Sequence, residues 1–96
     1  MVDKLRTESM DSLLKGIVAI DNLDDAYKFF EDLCTVKELE AMAQRFEVAK
    51  LLREGITYTL IEEKTGASSA TISRVNRCLN YGTDGYDLVI EKAKEA

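Results

Sequence analysis

Residues 56–79 have the sequence ITYTLIEEKTGASSATISRVNRCL, which is typical of two short helices joined by a sharp turn. Thr59 and Glu62 have the spacing of a capping box, so the first helix is predicted to begin at Thr59. Gly66 is expected to end it, because glycine readily adopts the positive φ that terminates many helices. The segment is therefore bounded at both ends by local chemistry alone.

The second helix of this segment is predicted to begin at Ser68 or Ser69, whose hydroxyls can accept hydrogen bonds from the first turn. Ile72, Val75 and Leu79 recur at helical spacing and form one apolar stripe. The opposite face combines small side chains near the N-terminus with two guanidinium groups, and consists of Ser69, Ala70, Ser73, Arg74 and Arg77.

A helix with this second face fits the major groove of DNA. Small residues let the helix approach the base edges, and arginines reach guanine or phosphate. We therefore predict a helix-turn-helix whose DNA-binding residues are Ser68, Ser69, Ala70, Thr71, Ser73, Arg74 and Arg77. The alternative is an ordinary helical hairpin whose polar face is only solvated.

The rest of the chain also favours helices. Apolar residues recur at i, i+3, i+4 and i+7 spacing from residue 10 to 20, from 23 to 33 and from 86 to 93, while Asn22 and Thr35 are good N-caps. Thr35 opens a long helix that Gly55 is expected to end. With no Pro and only 5 Gly among 96 residues, we predict an all-α fold of six helices in one domain, with residues 1–8 lacking a regular pattern.

Composition excludes several classes of function. The chain has no His, no Gly-rich phosphate loop and no nucleophile with a base to activate it, so we predict no metal site, no cofactor and no enzymatic activity. Cys34 and Cys78 are interpreted as small buried apolar groups. No signal segment and no apolar run long enough for a membrane span is found, which predicts a cytoplasmic protein without membrane contact.

Net charge argues against strong DNA binding, since the chain carries −5 overall. The distribution weakens that objection: residues 1–35 hold 4 basic and 8 acidic side chains, whereas residues 56–80 hold 3 basic and 2 acidic ones. The predicted helix-turn-helix is thus the least acidic part of the chain, although its non-specific affinity for DNA is expected to be low.

Size and amphipathicity bear on assembly. A chain of 96 residues is near the lower limit for a self-sufficient core, and amphipathic helices lie at both of its ends. We predict a homodimer in which residues 10–54 and 84–95 form the core and residues 56–80 form a helix-turn-helix reading head. A compact six-helix monomer is the alternative.

The chain resembles the Trp repressor superfamily, in particular its YerC/YecD-like branch, over residues 33–79. The motifs that carry the resemblance are Leu33–Thr35 (LCT), Glu40–Arg45 (EAMAQR), Leu51–Gly55 (LLREG) and Gly66–Arg74 (GASSATISR). The resemblance implies an intertwined homodimer with a Trp-repressor-like fold, binding to a specific operator in double-stranded DNA, and control of transcription.

The resemblance also implies an effector pocket. In tryptophan-binding members, two arginines sandwich the indole and a threonine binds the ligand; the matching positions are Arg45, Arg74 and Thr35. Val75 stands where that pattern has Gly, and Cys78 where it has a Ser. Because an added side chain overfills a packed site, tryptophan is not expected to be the effector. An ion pair between subunits or between helices is an equal alternative role for Arg45.

The sequence therefore predicts a homodimeric, repressor-like transcriptional regulator that reads DNA through a helix-turn-helix. The alternative from another class is a helical protein–protein interaction module that does not bind DNA.

Overall fold

The computed structural model describes the backbone of residues 2–95 and the side chains of residues 4–95. Within this part of the chain it has seven helices and no strand: α1 (Val2–Leu5), α2 (Glu8–Ala19), α3 (Leu23–Leu33), α4 (Val36–Arg53), α5 (Tyr58–Thr65), α6 (Ser69–Tyr81) and α7 (Gly85–Lys94). The last six are the six predicted helices, and α1 is a single turn in the segment expected to lack regular structure. Of the helices described, none combines the length and apolar character needed to cross a membrane.

The described backbone packs as two units, which are divided between Val36 and Lys37. In the first unit, the Thr7 hydroxyl caps α2 by accepting from Met10 N at 3.1 Å, and Asn22 caps α3 by accepting from Asp25 N at 2.8 Å. No side chain from residue 4 to residue 36 is buried. Several large apolar side chains of α2 and α3 are consequently exposed, namely Leu14, Val18, Leu23, Tyr27 and Leu33.

The second unit contains the buried core of the described chain. Four helices and the turn between α5 and α6 contribute to it, and its buried residues are Val48, Ala49, Leu51, Ile61, Ala67, Ile72, Val75 and Ile90. Phe46, Leu52, Ile56, Leu79 and Tyr86 pack against it while remaining partly exposed. Because α5 and α6 bury their apolar residues in the same cluster as α4, the two-helix segment is a packed part of this unit.

The end of α4 is defined by glycine and by an ion-pair network. Gly55 has φ +80°, and Ile56 N donates to Leu51 O at 3.1 Å, which is the Schellman arrangement. In the last turn, Arg53 Nε lies 3.0 Å from Asp87 Oδ1, and Arg53 Nη2 donates to Glu91 Oε2 at 2.7 Å. Hydrogen bonds from Arg53 and from Lys94 hold the pKa of Glu91 below its usual value. The C-terminal part of α4 is thereby joined to α7.

The start of α5 differs from the sequence prediction. Thr57 rather than Thr59 is the N-cap: its backbone is extended, and its hydroxyl accepts from Leu60 N at 3.4 Å. Thr59 lies inside the helix, so the capping-box interpretation of Thr59 and Glu62 was wrong. Two threonines two residues apart both satisfy the local preference, and the hydroxyl of Thr57 is the one that accepts from the first turn.

Thr57→Ala is therefore expected to lower the free energy of unfolding by about 1 kcal/mol, because it leaves an N–H group of the first turn without its acceptor. Thr59→Ala, the matched control, is expected to change it by less than about 0.5 kcal/mol, since that residue caps nothing. Urea unfolding followed by circular dichroism measures both. A larger effect from Thr59→Ala would place the helix start at the position predicted from the sequence.

Candidate nucleic-acid interface

Residues 57–81 form a helix, a tight turn and a second helix. Gly66 has φ +73°, which confirms that it ends α5. Its N–H donates to Glu62 O at 2.9 Å, the Thr65 hydroxyl donates to Ile61 O at 2.7 Å, and Ala67 N donates to the same hydroxyl at 3.1 Å. The turn is therefore held by local hydrogen bonds, and Ala67 anchors it in the core.

Helix α6 presents two distinct faces, as its periodicity predicts. Ile72 and Val75 are 0% and 1% exposed, and Leu79 is partly buried against the same cluster. Thr71 is half-buried at the boundary between the faces. The other predicted DNA-binding residues are all exposed: Ser68, Ser69, Ala70, Ser73, Arg74 and Arg77. The buried stripe fixes which way this polar face points.

The hydroxyl groups at the start of α6 are not equivalent. Ser68 is the N-cap and its oxygen accepts from Thr71 N at 3.2 Å, while its hydroxyl and that of Thr71 lie 3.1 Å apart. Within residues 4–95, the hydroxyls of Ser69 and Ser73 make no hydrogen bond, and neither Arg74 nor Arg77 forms an ion pair. Ser69, Ser73 and both arginines thus keep their hydrogen-bonding capacity for an external ligand, whereas Ser68 and Thr71 use part of theirs to start the helix.

The five predicted effector-pocket residues occupy different environments. Thr35 is exposed and directly precedes α4, Arg45 is half-buried on α4, and Arg74 is exposed on α6. Val75 is instead part of the apolar core, at 1% exposure. Arg45 forms no ion pair with any residue from 4 to 95, so this part of the chain supplies no interhelical partner for it, and an ion pair between subunits stays a prediction.

Cys78 is exposed and Cys34 is half-buried, so the interpretation of both cysteines as buried apolar groups was wrong. Cys78 is exposed because of the rotation of α6, which gives the core-facing positions to Val75 and Leu79. Cys78 lines an apolar groove of about 590 Å³, whose other lining residues are Phe46, Gly82, Thr83, Gly85, Tyr86 and Val89.

Sequence reasoning missed a contact between α4 and this segment. The Gln44 side-chain amide donates to Thr65 O, at the end of α5, at 3.1 Å. The two residues are 21 positions apart, so no local pattern indicates the pairing. The contact depends on the packing of α4 against α5.

Comparison with known proteins agrees with this architecture. The family model described as Trp repressor protein matches residues 8–94. The uncharacterized protein YerC of Bacillus subtilis is 53% identical over 94 residues, which cover 98% of this chain and 90% of that protein.

Two crystal structures superpose closely on the chain. A TrpR-like protein from Eubacterium eligens matches with a TM-score of 0.91 and 58% identity, covering 96% of this chain and 95% of that one. A protein from Staphylococcus aureus matches with a TM-score of 0.92 and 42% identity, covering 98% and 94%. With its all-α architecture and this match over nearly its whole length, the chain belongs to the Trp repressor family.

Proposed function

We propose that this protein is a cytoplasmic, sequence-specific transcriptional regulator that reads double-stranded DNA through α6 and has no enzymatic role. The observation that carries the proposal is the two-faced character of α6. One face is anchored by Ile72 and Val75, and the other exposes small side chains followed by two arginines without ion pairs in residues 4–95. Membership of a family of DNA-binding regulators supports the same conclusion.

In this proposal the small residues and the arginines on the exposed face of α6 have different roles in DNA binding. Ser69, Ala70 and Ser73 are small enough to let the helix lie against the base edges. Arg74 and Arg77 bind guanine or phosphate, and phosphate contacts make the affinity depend on salt. Because the chain carries −5 overall, non-specific affinity is low and binding depends on the matched contacts at a specific site.

The test begins with selection of bound sequences from a random duplex pool, which identifies the operator. Fluorescence titration then compares the selected duplex with a random duplex of equal length at several salt concentrations. We expect tighter binding to the selected duplex and a decrease of affinity with salt for both. If no duplex binds better than random at low salt, the proposal fails; a stoichiometric protein partner recovered by pull-down would then favour an interaction module.

We further propose that two copies of the chain share a core made by residues 10–54 and 84–95, with residues 56–80 as the reading head. Exposed apolar side chains that recur along α2 and α3 support this, because monomeric proteins rarely expose large contiguous apolar patches. Two-fold symmetry would also present two copies of α6 to successive turns of DNA.

By light scattering, we expect a species near twice the 10.8 kDa chain mass. Val18→Asp should shift it toward the monomer, because Val18 is an apolar side chain 83% exposed on the α2 stripe. Ser12→Asp introduces the same charge on the opposite face of α2, so it should leave the dimer intact. A wild-type monomer at every concentration would remove the shared-core proposal.

We also propose that tryptophan does not switch this protein. Val75 stands where the tryptophan-binding pattern has Gly, and its side chain packs in the core cluster. At this position α6 therefore carries a larger side chain than the tryptophan-binding pattern does. Free tryptophan is expected to leave the melting temperature unchanged. A ligand that binds the folded state at 100 times its dissociation constant would add about 2.7 kcal/mol, so a clear tryptophan-dependent rise in a thermal melt would contradict the proposal.

A further inference from the structure

The carbonyl group of Thr65 sits at the C-terminal end of α5. In a continuing helix it would accept from the N–H group four residues later, but the chain turns away at Gly66. The Gln44 amide of α4 supplies the missing donor at 3.1 Å. A side chain from another helix therefore caps the end of α5, at the turn that leads into α6.

Thr65 also organises the turn itself. Its hydroxyl donates to Ile61 O and accepts from Ala67 N, so the residue bound by Gln44 is the same one that shapes the path from α5 to α6. Ala67 and Ile61 are buried, which makes this part of the turn continuous with the core. Any displacement of Thr65 relative to α4 is thus passed to the first turn of α6.

Apolar packing alone leaves some freedom in the angle between packed helices, because burial of apolar surface is non-directional. A hydrogen bond is directional and weakens steeply when its geometry is lost. Contacts to base edges also depend on hydrogen-bond geometry, whereas attraction to phosphates is long-ranged and tolerant of small displacements. An error in the placement of α6 would therefore reduce discrimination between sequences more than it reduces general attraction to DNA.

We propose that Gln44 is a positioning residue for DNA reading: its hydrogen bond to Thr65 O sets the orientation of α6 on α4 and thereby the discrimination between operator and random DNA. This inference rests on the proposed function. Gln44 itself lies on α4 and not on α6, so in this proposal it acts through its hydrogen bond to the turn.

The test compares wild type with Gln44→Met, which has a similar length and shape but no donor, and with Gln44→Lys, which restores one. We expect Gln44→Met to lower the ratio of operator to random affinity by roughly three- to tenfold, the size of one neutral hydrogen bond. The affinity for random duplex and its dependence on salt should stay unchanged. Gln44→Lys should recover most of the ratio, because an ammonium group near a helix C-terminus is a favourable donor.

An unchanged ratio in Gln44→Met would overturn the inference, as would an equal loss in Gln44→Lys. Amide hydrogen exchange provides a readout that needs no DNA: Gln44→Met should speed exchange by several-fold in residues 62–69 and leave α7 unaffected. If wild type shows no preference for any duplex, the proposed function fails. The positioning role is then decided by exchange alone, and unchanged rates in residues 62–69 would overturn it.

Discussion

Replacement of Ile72 with alanine is expected to lower the free energy of unfolding by about 2–5 kcal/mol. Ile72 is fully buried on α6 and belongs to the cluster that joins this helix to α4, α5 and α7. Removing its side chain loses apolar burial and leaves a cavity among neighbours that cannot collapse fully. Because small domains are stable by only about 5–15 kcal/mol, the variant should lose much of its stability, as measured by urea unfolding at fixed protein concentration.

Leu60→Ala is the matched control for this experiment. Leu60 lies on α5, in the same two-helix segment, but its side chain is 44% exposed. Its replacement is expected to cost less than about 1 kcal/mol, because an exposed side chain leaves no cavity. Equal losses in the two variants would mean that α6 does not pack on the core through Ile72.

Replacement of Ser73 with tryptophan is expected to abolish binding to the selected operator, and Arg77→Ala to weaken it by about 5- to 150-fold. Ser73 is exposed on the polar face of α6, where an indole would keep the helix out of the groove. Arg77 is exposed without an ion pair in residues 4–95, so its loss removes a base or phosphate contact of about 1–3 kcal/mol. Fluorescence titration of each variant against the selected duplex measures both effects.

Two control variants distinguish a loss of operator contacts from a general effect of substitution at residue 73 and from a general loss of positive charge. Ser73→Ala keeps the position small and should retain affinity within a few-fold. Lys92→Ala removes one positive charge from the exposed surface of α7, as Arg77→Ala does from α6, and should have little effect on operator binding. With the circular dichroism spectra of all variants unchanged, wild-type affinity in both Ser73→Trp and Arg77→Ala would show that α6 is not the reading element.

Local chemistry determined most of the helix boundaries. Asn22 caps α3 as predicted, Ser68 is the one of the two predicted serines that caps α6, and Gly55 and Gly66 end α4 and α5 at positive φ. These predictions succeeded because a cap depends on one side chain and the three or four residues beside it. The periodicity of α6 also placed Ile72 and Val75 in the core, since the spacing of apolar residues determines which face a helix buries.

Tertiary packing decided what local patterns left open. Thr57 and Thr59 are the same residue type and satisfy the same local preference, yet only Thr57 has the extended backbone and the hydrogen bond of an N-cap. Cys78 and Val75 are three residues apart, yet one is exposed and the other buried, because the rotation of α6 on its neighbours gives the core positions to Val75 and Leu79.

The long-range polar contacts are the clearest case in which the sequence alone was insufficient. Gln44 and Thr65 are 21 residues apart, and Arg53 and Glu91 are 38 residues apart. Glutamine, threonine, arginine and glutamate are all common on exposed helix faces, so their types do not indicate a partner. The sequence by itself determined the helices, their apolar faces and the candidate reading surface, because these depend on near neighbours. Only the packing of α4 against α5 and α7 decided which polar groups meet, since a hydrogen bond requires two distant residues to be placed within about 3 Å.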